Sequence, residues 1–165
     1  MLVFCHPDDI AMRSGAEPED RVLDLGCGAG RISIPLSRLV GEHGFVEGID
    51  LQKKMILKAK SFAKKSAAIK NTDFRVLNVL ESPIEGLFDK IVIVTVLGEI
   101  PRVEGVILKL HDLLNDEGIV SVTEVIPDPC YITQKKLEKL FDAHGFKKVE
   151  TFSGLMSYTM NFTKK

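Results

Sequence analysis

The stretch Arg21-Val22-Leu23-Asp24-Leu25-Gly26-Cys27-Gly28-Ala29-Gly30 constrains the fold more than any other part of the chain. Val22, Leu23 and Leu25 form the apolar run of a strand buried on both faces, as in a parallel sheet. Gly26, Gly28 and Gly30 follow at alternate positions, so the backbone can turn sharply and a ligand can approach without meeting a Cβ. Arg31 to Val40 is apolar at helical spacing, which predicts a helix whose free N–H groups point over the glycines. The pattern is G-x-G-x-G, with the third glycine one residue earlier than in the dinucleotide fingerprint.

Length and charge narrow the remaining choices. The chain has 165 residues, 45% hydrophobic and 27% charged, which suits a single domain over 1–165 with a short leader at 1–19. A net charge of −1 supplies no general basic field for a phosphate backbone, so no nucleic-acid partner is expected. Lys53, Lys54, Lys58, Lys60, Lys64 and Lys65 fall on one predicted helix and read as a solvated face. Cys5, Cys27 and Cys130 are far apart and form no C-x-x-C pair, which argues for a reducing compartment and against a zinc site or disulfide framework. Met1 to Cys5 is too short for a signal peptide, and no apolar run reaches membrane-spanning length. The expectation is a cytoplasmic protein with no membrane partner and no metal.

Strand and helix signals then alternate. His6 to Met12 reads as a short helix with Pro7 near its first turn. Phe45 to Asp50 is the second strand, and its terminal acid stands where a Rossmann-type sheet needs a carboxylate for both ribose hydroxyls. A helix N-cap or turn acid is the plainer role for Asp50, but its position one strand after the glycine turn favours the ribose. Gln52 to Ser66 is a helix with Met55, Ile56, Ala59, Phe62 and Ala63 on one face. Asn71 to Asp73 turns into the strand Phe74–Leu77. Phe88 to Thr95 is a strand, Val103 to Leu114 a helix, and Asn115 to Gly118 a turn into the strand Ile119–Glu124. Pro127-Asp128-Pro129 is a rigid loop, Thr133 caps a last helix ended by Gly145, and Lys148–Phe152 and Tyr158–Phe162 close the chain as strands. This order predicts an α/β fold with an open, mostly parallel sheet and helices on both faces. Ligands in such sheets bind beyond the carboxyl ends of the strands.

The form D-x-G-x-G-x-G at Asp24–Gly30 resembles the first motif of class I S-adenosylmethionine-dependent methyltransferases. Phe88-Asp89-Lys90-Ile91-Val92 is similar to that family's fourth motif, and Leu113-Leu114-Asn115-Asp116-Glu117-Gly118 to its L-L-K-P-G-G turn. The nearest flavour is the small type-11 group that includes ubiquinone- and menaquinone-biosynthesis methyltransferases. The resemblance implies a Rossmann-like, seven-stranded sheet ending in an antiparallel hairpin. It also implies S-adenosyl-L-methionine as cofactor, held by Asp24, Gly26, Cys27, Gly28, Gly30, Asp50, Leu51, Asn78, Val79 and Thr95. Asn78 stands where the family more often has Asp to meet the adenine amino group. Gly98 and Glu99 stand where many relatives place histidines, so no histidine base carries over. The leader is shorter than the usual N-terminal lid.

An activated sulfonium methyl needs mainly alignment and exclusion of water. A base is required only where the acceptor must lose a proton. The candidates on the acceptor side are Glu99, Glu124 and His6, each with a plainer reading as a cap, a loop acid or a surface residue. Cys27 reads as a filler of the loop. The leading expectation is an enzyme methylating a small-molecule acceptor. A methyltransferase-like partner subunit without activity of its own stays open, as does an NAD-dependent oxidoreductase, against which the glycine spacing and the closing hairpin count. An open pocket could be completed by a second copy of the chain, as a homodimer.

Overall fold

The computed structural model describes residues 6–66, 70–126 and 128–165. The elements in chain order are α1 (Pro7–Arg13), β1 (Arg21–Leu25), α2 (Ser33–Val40), β2 (Phe45–Asp50), α3 (Lys53–Lys65), β3 (Thr72–Val76), β4 (Phe88–Val94), α4 (Val103–Leu113), β5 (Leu114–Val125), α5 (Gln134–Asp142), β6 (Phe146–Ser153) and β7 (Ser157–Lys164). The seven strands form one sheet in the order β3-β2-β1-β4-β5-β7-β6. β1 to β5 are mutually parallel; β7 runs antiparallel to β5, and β6 antiparallel to β7. The predicted open sheet with a closing hairpin is therefore the observed one.

Side-chain alternation along the strands builds two main cores. From β1, Val22 joins Ile10, Ile32, Leu36 and Val46 under α1 and α2. Leu23 and Leu25 point the other way, into a larger cluster with Val106, Leu110, Leu137 and Phe141 of α4 and α5. This period-two division is why helices are needed on both faces. Cys27, Ile56, Ala59 and Phe74 make a third, smaller cluster under α3.

Several boundaries differ from the sequence expectation. α2 starts at Ser33, not Arg31, because Gly26, Gly28 and Gly30 all take positive φ and carry the turn two residues further. Pro35 thereby falls in the first helical turn, where its missing N–H costs no intrahelical bond. The expected turn Asn115–Gly118 falls inside β5, as an irregularity between the pairs Phe88–Leu114 and Lys90–Ile119. β3 runs from Thr72 to Val76, so Leu77 lies beyond it. Phe62, expected on the inner face of α3, is 42% exposed. The opening Met1–Cys5 and Pro127 of the expected rigid loop lie outside the described residues.

The chain runs outward from β1 to β3, then returns to the other side of β1 with β4 and β5. The loops after β1 and β4 consequently diverge from neighbouring strand ends. This switch in strand order opens a crevice at the carboxyl edge of the sheet.

Candidate functional site

A cavity of about 320 Å3 occupies that crevice, at the small end of the usual range for ligand sites. Gly26, Ile49, Asp50 and Leu51 form one side; Asn78, Val79 and Leu80 a second; Val96, Glu99, Ile100, Pro101 and Arg102 a third. Most of these side chains are apolar, with few polar groups among them, the usual character of a small-molecule site.

The glycine loop is held by its own backbone. Gly26 and Cys27 donate N–H bonds to the Ile49 carbonyl at 2.8 and 3.0 Å, and Gly30 donates to the Cys27 carbonyl at 2.9 Å. Gly28 donates to Asp50 Oδ2 at 3.0 Å. These loop amides are thus committed to the protein. Two of the glycines serve different ends. A Cβ on Gly26 would overlap the Val96 side chain, whereas one on Gly28 would meet nothing within 4 Å. Gly26 is required by packing; Gly28 faces open space.

Asp50 closes the turn that leads into α3. Besides holding Gly28, its Oδ1 accepts the Gln52 amide at 2.8 Å where α3 begins. A carboxylate offers about four lone-pair sites, so acceptor capacity remains at the cavity wall. Asn78 Oδ1 accepts the Leu80 amide at 3.0 Å, which fixes the side chain and leaves its NH2 as a donor. Leu51 and Val79 supply apolar wall, and Leu51 is 67% exposed at the rim.

Asp24 is buried behind the loop and accepts a 2.5 Å hydrogen bond from Ser33 Oγ. Burial pushes its pKa up to about 6; the Ser33 bond opposes the rise and the nearby Asp50 charge adds to it. The sequence reading missed Ser33, although a hydroxyl at the first position of the following helix was visible. Cys27 turns its side chain into the α3 cluster, and burial drives its thiol pKa well above the ordinary value. It is a filler of the loop. Gly30 lies against Ala59 of α3. Thr95 is placed beside the cavity with φ 53°, a conformation uncommon for a β-branched residue, and its amide bonds to the Thr123 carbonyl at 2.9 Å.

The three acceptor-side candidates separate. Glu99 lines the cavity, at the end of a 3-10 turn spanning Leu97–Glu99. Glu124 is buried in β5 behind it. Its carboxylate accepts the Ile132 amide at 3.3 Å, while Oε1 has no partner. Burial raises its pKa to about 7; the Ile132 bond opposes this, and Asp128 and Glu99 add to it. His6 is the exposed N-cap of α1, next to Asp8, and is not among the cavity residues. The absence of a histidine at Gly98 also has a steric reason: any Cβ there would overlap the Cys130 carbonyl. Sequence reasoning did not single out Val96, Ile100, Pro101 or Arg102. The available signal was a Pro-Arg step just before a helix at the carboxyl edge. Among the described residues, no group of three or more His, Cys, Asp or Glu could hold a metal ion.

Comparison with known proteins agrees with this geometry. A family model described as "Methyltransferase domain" matches residues 16–157. A demethylmenaquinone methyltransferase of Alkalihalophilus pseudofirmus is 27% identical over 95% of this chain and 70% of its own length. A ubiquinone/menaquinone biosynthesis C-methyltransferase of Vibrio vulnificus is 31% identical over 81% of this chain. The chain spans only 50% of the length of that relative. Among solved structures, a SAM-dependent methyltransferase from Aquifex aeolicus superposes with TM-score 0.87 at 19% identity, over 97% of this chain and 89% of that one. Magnesium protoporphyrin IX methyltransferase from Synechocystis with bound SAM gives 0.76 at 22% identity, over 94% and 74%. At these identities the structural matches establish the fold. With the family model running over most of its length, the chain belongs to the methyltransferase-domain family.

Proposed function

We propose that this protein is an S-adenosyl-L-methionine-dependent methyltransferase acting on a small, largely apolar acceptor. The observation that carries the reading is the cavity at the β1/β4 switch, lined by Gly26, Asp50 and Asn78, with Gly28 bonded to the Asp50 carboxylate. When bound, the cofactor supplies an activated sulfonium methyl, so the protein's work is alignment and exclusion of water.

Each wall has a part in that work. Asp50 would accept hydrogen bonds from the ribose hydroxyls with the lone pairs not taken by Gly28 and Gln52. Leu51 and Val79 would sandwich the adenine, and the Asn78 NH2 would donate to a ring nitrogen. Gly26 and Gly28 allow close backbone approach. Asp24, braced by Ser33, would order the loop behind the methionine end. Gly30 and Cys27 support the loop and Thr95 is tied to β5, none of them offering a side chain to the cavity. The third wall, Val96 to Arg102, is left to the acceptor, with Glu99 and Arg102 as its charged groups. The relatives named for quinone biosynthesis favour an apolar, oxygen-bearing acceptor. We read the chain as one catalytic domain, since every strand joins one sheet. A cytoplasmic setting fits, among the described residues, the free thiols of Cys27 and Cys130 and the lack of any helix long and apolar enough to cross a membrane.

Titration calorimetry with S-adenosylmethionine tests the reading. Saturable binding is expected, with Asp50→Ala weakening it by ~1–3 kcal/mol, the cost of losing hydrogen bonds to a charged group. No binding at millimolar concentration overturns the proposal, and unchanged affinity in Asp50→Ala removes Asp50 as the ribose ligand.

A further inference from the structure

The outward side of α3 has an uneven charge. Its thirteen residues carry six lysines and no acid, out of 22 Lys and Arg and 23 Asp and Glu in the whole chain. At about 3.6 residues per turn, Ile56, Ala59 and Ala63 share the side that meets β2 and β3. Lys54, Lys58 and Lys65 lie on the opposite side, Lys53 and Lys64 lie on the flank beside Leu57, and all are exposed. The lysine ion pairs among the described residues belong to Lys90, Lys148, Lys164 and Lys165. Among the described residues the α3 lysines therefore form no ion pair.

Two large apolar side chains stand among them. Leu57 is 59% exposed and Phe62 42%. Six lysines clustered on one helix make a polybasic surface of the kind that binds anionic lipid, and the outward apolar side chains add to it. Cations of this kind are drawn to acidic lipid headgroups, and the apolar groups enter the headgroup boundary. Nucleic acid fits the same surface less well. All six cations are lysines, point charges without the planar fork of arginine that grips phosphate in two bonds, and the exposed Leu57 has no use on a phosphate backbone.

We propose that α3 seats this protein on an anionic lipid surface. The helix starts two residues after Leu51, at the cavity rim. Docking would bring that rim to the bilayer, where an apolar acceptor resides. Only this last consequence rests on the methyltransferase reading.

Vesicle co-sedimentation tests the docking, with phosphatidylcholine alone and phosphatidylcholine mixed with phosphatidylglycerol. Partitioning onto the anionic vesicles is expected to be at least ~10-fold stronger at low salt and to collapse toward molar salt as screening shortens. Lys54→Gln, Lys58→Gln and Lys65→Gln together should abolish the preference, since glutamine keeps the helix propensity. Leu57→Ser with Phe62→Ser should cut low-salt partitioning by ~10-fold, through lost apolar burial. Circular-dichroism melting checks that each variant is folded. Equal binding to both vesicle types, or a triple variant that binds like the parent, overturns the proposal. Tighter binding to duplex or single-stranded RNA than to vesicles, indifferent to Leu57 and Phe62, overturns the lipid assignment. Cofactor titration of the same samples keeps the two readings apart. Cofactor binding without vesicle binding sinks only the docking, and the reverse sinks only the enzyme.

Discussion

The two sides of the cavity are built differently. On the side of the glycine loop, each acid or amide is anchored by bonds that reach a short way along the chain or across one strand. Asp24 takes Ser33, Asp50 takes Gly28 and Gln52, and Asn78 takes Leu80. On the opposite side the structure depends on a loop thirty residues away. Gly98 lies against the Cys130 carbonyl, and Glu124 accepts the Ile132 amide with its other oxygen unpartnered. The Tyr158 hydroxyl donates to the Ile132 carbonyl and steadies the same loop. One side is a finished, preorganised socket; the other is a contact between two loops, the type of region that varies to suit different ligands.

The largest expected difference lies in the pH dependence of the two buried acids. Asp24 has its ordinary value of 3.8 raised to about 6 by burial, so the folded state holds the proton more tightly than the unfolded chain. Its stabilising contribution is complete below pH 3.8 and is lost as pH rises through 6. At about 1.4 kcal/mol per pH unit, that window is worth ~3 kcal/mol. Urea unfolding across pH should show Asp24→Asn removing this decline; a variant with the same slope as the parent would refute the buried-acid account. For Glu124 the window runs from 4.5 to about 7, with the same sign. Glu124→Gln should flatten the upper part of the curve, between pH 6 and 7, where Asp24 has finished titrating.

Steric variants come next in size. Gly98→Ala should cost ~1–3 kcal/mol in unfolding free energy, the usual cost of overpacking against backbone that cannot yield. Gly26→Ala should cost a similar amount, through positive φ and overlap with Val96. Here the obstacle is a side chain, so adding Val96→Ala should recover part of the loss. If Val96→Ala restores nothing, strain at Gly26 alone governs the site. The smallest effect is at Thr95. Thr95→Asn should raise stability by ~0.5 kcal/mol, because Asn tolerates the left-handed conformation better than a β-branched residue. A fall in Tm would show that the Thr95 side chain contributes more than its strain costs.

The socket was legible in the chain because its parts are sequence-local. A strand, a glycine turn and an acid at the end of the next strand specify each other over about thirty residues, through backbone geometry that few residue types permit. The opposite wall was only partly legible. Glu99 and Glu124 were visible as acids near strand ends, yet nothing along the chain distinguished Glu99 at the cavity from Glu124 buried behind it. His6 was equally visible and caps a surface helix. The lysine run on α3 is legible in the chain, whereas the exposure of Phe62, expected on the inner face, is not.

The sequence by itself determined the sheet, its closing hairpin and the glycine socket, because hydrophobic period and glycine placement act on neighbouring residues. Only the tertiary structure decided that Gly98 has no room for a side chain, that Asp24 is braced by Ser33, and that Glu124 keeps one buried oxygen unpartnered. Those facts depend on which segments meet across the sheet, and contact between distant segments leaves no periodic mark on the chain.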